Sequence, residues 1–235
     1  MEGLYAIKTK KLVKLSVEQI VDCDGTFGTE TESNCGVYGG WPYLAFEFIN
    51  SIVCVFVYNH LMFNWNYNFE KYWKGGIETE DDYSYCAGTG QCLPCSPPGY
   101  NRTECGPPVP FCRLKDSCQA KLDPSKFIPD LKVKDWMRTS RNETDIAYHL
   151  MTNGPLSIAL NAELLQFYFG GIFDPFDKIC NRDNLNHAVL VVGWGVQKSL
   201  IFGTRPYWIV KNSWGTGWGE KGYFRIIKGK DKCGI

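Results

Sequence analysis

The sequence predicts an α+β protein in two halves, the first rich in helix and the second in strand. Three observations carry that reading. In the first half the ordered-looking stretches open as helices do, with Ser16-Val17-Glu18-Gln19 in the form of a capping box and Pro42 ahead of Tyr43, Leu44, Phe46 and Phe48. In the second half, residues 156–160, 187–193, 207–211 and 222–227 are short runs of β-branched and aromatic residues. Between them the composition changes abruptly, to a segment dense in Cys, Pro and Gly. The expected division is residues 1–121 and 122–235.

Each element follows from local chemistry. Residues 1–8 read as the tail of a helix, because no capping side chain precedes them. Ser16 can accept from the amide of Gln19 while the Gln19 side chain reaches back, which opens a helix through Val21. Residues 22–40 are Gly-rich and read as loop, and Pro42 then starts a second helix. Residues 50–69 mix a short apolar run with repeated Asn and aromatics, and hold neither helical nor strand period. The continuous apolar stretch, 52–58, falls far short of the roughly 20 residues that cross a bilayer, and Glu47 and Asn50 interrupt anything longer. No membrane span is expected. A third helix over 142–153 ends at Gly154-Pro155, with Ile146, Leu150 and Met151 expected on one face.

Charge and cysteine content narrow the class. The 25 basic and 25 acidic side chains cancel and form no basic run, which argues against a nucleic-acid surface. Eleven cysteines are many for a cytosolic enzyme, and six of them crowd between Cys86 and Cys118. Two glycosylation sequons, Asn101-Arg102-Thr103 and Asn142-Glu143-Thr144, accompany them. Together these imply an oxidising compartment, lysosomal or secreted. Cys92-Leu93-Pro94-Cys95 has zinc-ligand spacing, but no second pair lies near it, so no metal is expected. Residues 1–3 open without a basic or apolar leader, and a secretory protein lacking one is expected to be incomplete at its N-terminus.

The chemistry concentrates in the second half. Of three histidines, His60 and His149 read as surface or packed residues, whereas His187 stands at the start of a buried-looking strand. The run 207–211 ends in Asn212-Ser213-Trp214-Gly215. If these two strands form a long hairpin turning near Ser199 and Leu200, His187 and Asn212 come side by side. Asn212 could then accept Nδ1–H and leave Nε2 for proton transfer, with Trp214 as a lid against water. The plainer alternative is a strand-end polar pair that only satisfies backbone groups.

The motifs go further. Leu185-Asn186-His187-Ala188-Val189, followed by Gly193-Trp194-Gly195, resembles the His region of papain-family cysteine peptidases. Lys211-Asn212-Ser213-Trp214-Gly215-x-x-Trp218-Gly219-Glu220-x-Gly222-Tyr223 resembles their Asn region. Leu15-Ser16-x-x-Gln19-x-Val21-Asp22-Cys23, Cys35-x-x-x-Gly39-Gly40 and the stretch from Gly76 to Tyr85 resemble the family too. The resemblance implies a two-lobe papain-like fold, a helical lobe plus an antiparallel β-barrel-like lobe. It implies a cysteine-type endopeptidase acting on peptides or proteins, with no cofactor and as a monomer. His187 would be the general base and later acid, oriented by Asn212 and shielded by Trp214. Gly39 and Gly40 would offer backbone to an extended substrate. Trp41, Pro42, Ala159 and Leu185 would line an apolar pocket for the side chain two positions before the cut. Cys180 would bond Cys233, and Cys23 would bond Cys92 or Cys118.

One element of the pattern is missing. The family's nucleophilic Cys lies in a Cys-Gly-Ser-Cys-Trp-like segment at a helix N-terminus, where dipole and imidazolium favour the thiolate, and nothing like it occurs here. The chain is therefore expected to be truncated at its N-terminus, inactive as written and poorly stable, with Cys35 unpaired and residues 50–69 a retained intron. The alternative is a non-catalytic homologue that binds peptides or partners. The Cys-rich loop is expected to be a stapled surface loop, or less simply a recognition surface.

Overall fold

The computed structural model describes residues 1–24, 27–29, 32–34, 39–50, 76–85, 122–200 and 203–235. The expectations for 51–69, His60, Cys35, Cys92, Asn101 and the Cys-rich loop lie outside them. Two compact units are present: Met1–Ala6 with Lys10–Trp136, and Ile7–Thr9 with Met137–Ile235. The segment from 122 to 136 belongs to the first, where Ile128 N–H donates to the Ile77 carbonyl and Asp123 N–H to Glu78 Oε1.

Helix α1 (Glu2–Thr9), whose residues 2–6 belong to the first unit, starts at Met1 with no side-chain cap and ends on Lys10 in the left-handed region. Helix α2 (Val17–Cys23) is capped as expected, Ser16 Oγ accepting from Gln19 N–H at 2.9 Å. The reciprocal half of the capping box does not form. Gln19 is fully buried, and its amide instead donates to the Gly76 carbonyl and accepts from Glu78 N–H. The amide is free to serve these two long-range backbone groups because the buried Ser16 N–H is satisfied elsewhere, and an unmet buried group is costly. Ser16 N–H finds its partner in the Glu78 carbonyl. Beyond α2 the expected loop contains a small antiparallel pair, β1 (Phe27–Thr29) and β2 (Glu32–Ser33). Helix α3 (Pro42–Asn50) begins at the proline and buries Leu44 and Ile49. Ile49 meets Leu15, Ile77 and Leu131 in this unit's core. Cys23 is disulfide-bonded, to a partner outside the described residues.

The second unit is a five-stranded sheet with one helix. Helix α4 (Glu143–Asn153) is capped by Asn142, whose side chain accepts from Thr144 N–H. Ile146 and Leu150 face the core, but Met151 is 69% exposed and Ala147 takes the third place. At about 100° per residue Met151 lies roughly 140° round the helix from Ile146, outside the buried stripe. The strands are β3 (Leu156–Leu160), β4 (Ile172–Phe173), β5 (His187–Ser199), β6 (Gly203–Lys211) and β7 (Tyr223–Ile227). Their order is β3-β5-β6-β7-β4, antiparallel at every pairing except β4 with β7. The β5–β6 hairpin turns beside Ser199 as expected, but its strands run beyond 187–193 and 207–211, pairing from Leu190 with Lys211 out to Ser199 with Gly203. Polar residues at its far end, such as Gln197 opposite Arg205, hide that extension from a pattern based on burial. Trp208, Val210, Phe224, Ile226, Leu160 and Val191 form the fully covered centre. Cys180 and Cys233 are bonded across 53 residues of chain. The fold is α+β.

Candidate active site

His187 stands at the first position of β5, paired with Leu160 of β3. Asn212 follows the last residue of β6, and its N–H donates to the Gly222 carbonyl at 2.9 Å as the chain leaves the sheet. Extending the ladder beyond Leu190 and Lys211 places Asn212 diagonal to His187 and Trp214 level with it. The expected pair forms. His187 Nε2 lies 2.8 Å from Asn212 Oδ1.

The nitrogen is not the one expected from sequence. Asn212 meets Nε2, and Nδ1 is the nitrogen left open. A diagonal cross-strand pair is separated by about 7–8 Å along the backbone, so the ring must reach with its distal nitrogen. The same geometry sets the tautomer. Asn212 Oδ1 also accepts from Ser213 N–H at 2.8 Å, which identifies that atom as the oxygen. An amide oxygen only accepts, so Nε2 must carry the proton and a neutral His187 presents the Nδ1 lone pair. No described residue hydrogen-bonds Nδ1.

Trp214 covers the pair, stacked on His187 with ring centroids 5.1 Å apart and planes 29° from parallel. Asn212 is 7% exposed under it, and Asn212 Nδ2 is buried with no hydrogen-bond partner among the described residues. The indole is itself set edge-on against Trp218 at 5.0 Å, and Trp218 packs on Tyr168 and Phe224. The aromatic stack thus ties the lid to the core of the sheet.

Glu220 and Arg225 brace the loop that carries these residues. Arg225 grips both carboxylate oxygens of Glu220, and Gly171 N–H donates to Glu220 Oε1. The Arg225 hydrogen bonds hold the Glu220 carboxyl below its usual range. With the folded value below the unfolded one, the pair's stabilisation is whole above the ordinary carboxylate range and fades as pH falls through the folded value. Glu220→Gln is therefore expected to lower stability at pH 7 by about 1 kcal/mol, since both groups are partly solvated. Urea melts of the two proteins should converge as pH falls below the ordinary carboxylate range.

The remaining expected site residues divide between the units. Gly39, Gly40, Trp41 and Pro42 lie in the first, just ahead of and within α3. Gly39 has φ +96°, a conformation that favours glycine. Gly40 packs so closely on Asn34 that an added β-carbon would overlap the Asn34 side chain. That side chain cannot step aside, because it accepts from Trp41 N–H and donates to the Trp41 carbonyl and to Asp24. Gly40→Ala is expected to cost about 1–3 kcal/mol by overpacking, read as a lower midpoint in thermal unfolding. Ala159 and Leu185 lie in the second unit. Ala159 pairs with Ala188 across β3 and β5, and Leu185 is 39% exposed and leans on Gly234.

Beside His187 is an open cleft of about 410 Å³, lined by Ala162, Glu163, Gln166, Asn186, His187 and Trp214. Sequence reading missed Ala162, Glu163 and Gln166, which lie on the irregular turn after β3 with no motif to mark them. Asn186 was quoted in the His motif without a role. Its N–H donates to the Leu160 carbonyl and its Oδ1 accepts from Ala162 N–H, which fixes the cleft wall to the strand end.

A histidine held in one tautomer by a buried amide and roofed by an indole thus stands at the strand ends of an α+β protein. The whole chain, residues 1–235, matches the model of the papain family cysteine proteases, and the protein belongs to that family. It is 35% identical over 237 residues to cathepsin F of Drosophila melanogaster, covering all of this chain and 29% of that protein. It is 35% identical over 239 residues to a probable cysteine protease of Arabidopsis thaliana, covering all of this chain and 51% of that one. The chain thus spans about half the length of one of these curated relatives and less than a third of the other. Digestive procathepsin L 3 of Tenebrio molitor larval midgut superposes with a TM-score of 0.64 at 30% identity, over all of this chain and 57% of that one.

Proposed function

We propose that this chain carries the His–Asn half of a cysteine endopeptidase that cuts peptide bonds in peptide or protein substrates. The single observation that supports the reading is the 2.8 Å contact of His187 Nε2 with Asn212 Oδ1. With Nε2 committed to Asn212, His187 Nδ1 takes the proton of a cysteine thiol and later delivers it to the leaving amine. Asn212 is the positioning residue, and Trp214 keeps water from its hydrogen bond. Gly39 and Gly40 present backbone to the substrate, and the side chain preferred two positions before the cut is bulky and apolar. A peptide-library profile dominated there by Arg or Lys would overturn that preference.

The thiol is the missing part, for no cysteine of the sequence stands in the family's nucleophile motif. The 235-residue chain is expected to release no fluorophore from peptide substrates above the buffer rate. Joined at its N-terminus to a family segment of the form Gln…Cys-x-x-Cys-Trp, it is expected to hydrolyse them, and to stop when that Cys is replaced by Ala. Turnover by the chain as it stands, or none by the joined form when folded, would refute the assignment. The second of these would favour a peptide-binding homologue.

The compartment we assign is lysosomal or secreted, supported by eleven cysteines, the Cys180–Cys233 bond and two sequons. Among the described residues no helix is long and apolar enough to cross a membrane. Asn142 is an exposed cap whose Oδ1 faces its helix, so a glycan on Nδ2 is compatible with capping. Expressed through a secretory pathway, the protein should lose mass on N-glycosidase treatment. Asn142→Asp should remove one glycan yet keep the cap, whereas Asn142→Ala should also lose about 1 kcal/mol.

A further inference from the structure

The cleft beside His187 has an uneven chemistry. Ala162, Gln166, Asn186 and Trp214 are neutral, so Glu163 is the one carboxylate in its lining. The Glu163 backbone is held, its N–H donating to Asn161 Oδ1 and its carbonyl accepting from Gln166 Nε2. Asn161 is itself buried, and its N–H donates to the carbonyl of Cys233, a member of the disulfide. The turn that presents Glu163 is therefore anchored to the core. Its carboxylate is exposed and accepts one hydrogen bond, from Asn184 Nδ2 at 3.3 Å to Oε1. No salt bridge to Glu163 forms among the described residues, although Asp174, Glu220 and Asp231 of the same unit each have a basic partner.

We infer that Glu163 selects a basic side chain, Lys or Arg, in the part of a bound peptide that occupies the cleft between His187 and the 162–166 turn. The inference rests on the peptide-site reading above and adds a charge preference to it. A carboxylate on the rim of a cleft, in no salt bridge among the described residues, attracts a cationic ligand group and repels an acidic one. Gln166 and Asn186 add neutral donors and acceptors along the same wall, and the exposed edge of Trp214 offers a surface on which the alkyl stem of Lys or Arg can lie.

The test uses the chain as it stands, with uncleavable acetylated and amidated hexapeptides, identical except for Lys, Gln or Glu at one position scanned along the sequence. Binding is followed by the imidazole NMR signals of His187, one of only three histidines. At one position Lys is expected to bind about threefold tighter than Gln, the size expected of an exposed ion pair, and Glu weaker than either. Glu163→Gln should abolish that difference and Glu163→Lys should reverse it, while the His187 signals still respond. Raising salt from 0.05 to 0.5 M should shrink the preference in the wild type. If every peptide moves the His187 signals with equal affinity, the charge selection is wrong and the peptide site stands. If no peptide moves them, the peptide site falls and this inference with it.

Discussion

Asn212→Ala is expected to lower kcat of the protein completed with a nucleophile segment by about 10²-fold or more, the lower end of what general acid–base catalysis supplies. The reason lies in the ring, not in the fold. In the wild type Asn212 Oδ1 accepts from His187 Nε2 at 2.8 Å and from Ser213 N–H at the same distance, so the oxygen cannot rotate away. Without it, nothing among the described residues fixes which nitrogen bears the proton, and the ring is free to flip under Trp214. Part of the population then presents Nδ1–H, an atom that can no longer take a proton from a thiol. Asn212→Asp keeps two acceptors in place and should recover most of the geometry, with kcat closer to the wild type than that of Asn212→Ala. In the chain as given, ¹⁵N spectra of His187 should show one Nε2–H tautomer, and a mixture in Asn212→Ala. A single unchanged tautomer in the Ala variant would remove the positioning role from Asn212. A purely structural role would lower stability without moving the tautomer.

The parts of this arrangement that sequence could reveal are those written in local chemistry. Ser16 capping α2, Pro42 opening α3, Gly154 ending α4 and the buried run after His187 are each visible from a few adjacent residues. The proximity of His187 and Asn212 was legible because a hairpin turns linear spacing into contact. The choice of ring nitrogen was not, since it depends on a diagonal offset that two strand assignments do not contain. Gln19 illustrates the same limit. Its place in a capping box is local, but the demand of Gly76 and Glu78 for its amide comes from 57 and 59 residues away. Glu163 was invisible because a lone carboxylate on an irregular turn has no pattern, and acquires meaning only when His187 and Trp214 are set beside it. Local rules thus placed His187 beside Asn212, while long-range hydrogen bonds decided what each polar atom does.

Glu143→Ala is expected to cost about 3–5 kcal/mol, the loss expected when the shared acceptor of three buried donors is removed. The carboxylate is 9% exposed and accepts three hydrogen bonds, from Trp208 Nε1 at 2.8 Å, Gly229 N–H at 2.6 Å and Asp231 N–H at 2.7 Å. It thereby joins the first turn of α4, the most deeply buried indole of the sheet and the loop after β7. Its own charge is favoured where it stands, near the amides of a helix N-terminus. Alanine removes the acceptor and leaves three donors in a place water reaches poorly, each unmet group costing about 1–3 kcal/mol before relaxation. Glu143→Gln is isosteric but offers one acceptor oxygen, and turns an NH₂ toward a donor, so an intermediate loss of about 2 kcal/mol is expected. Both are readable in urea unfolding followed by tryptophan emission, with Trp208→Phe as the third corner of a cycle. If the network is one unit, Glu143→Ala in the Trp208→Phe background should cost less than in the wild type, because one of the three orphaned donors is already gone. Strict additivity of the two changes would mean that the indole and the carboxylate act separately, and that α4 is held to the sheet by apolar packing through Ile146 and Leu150 alone.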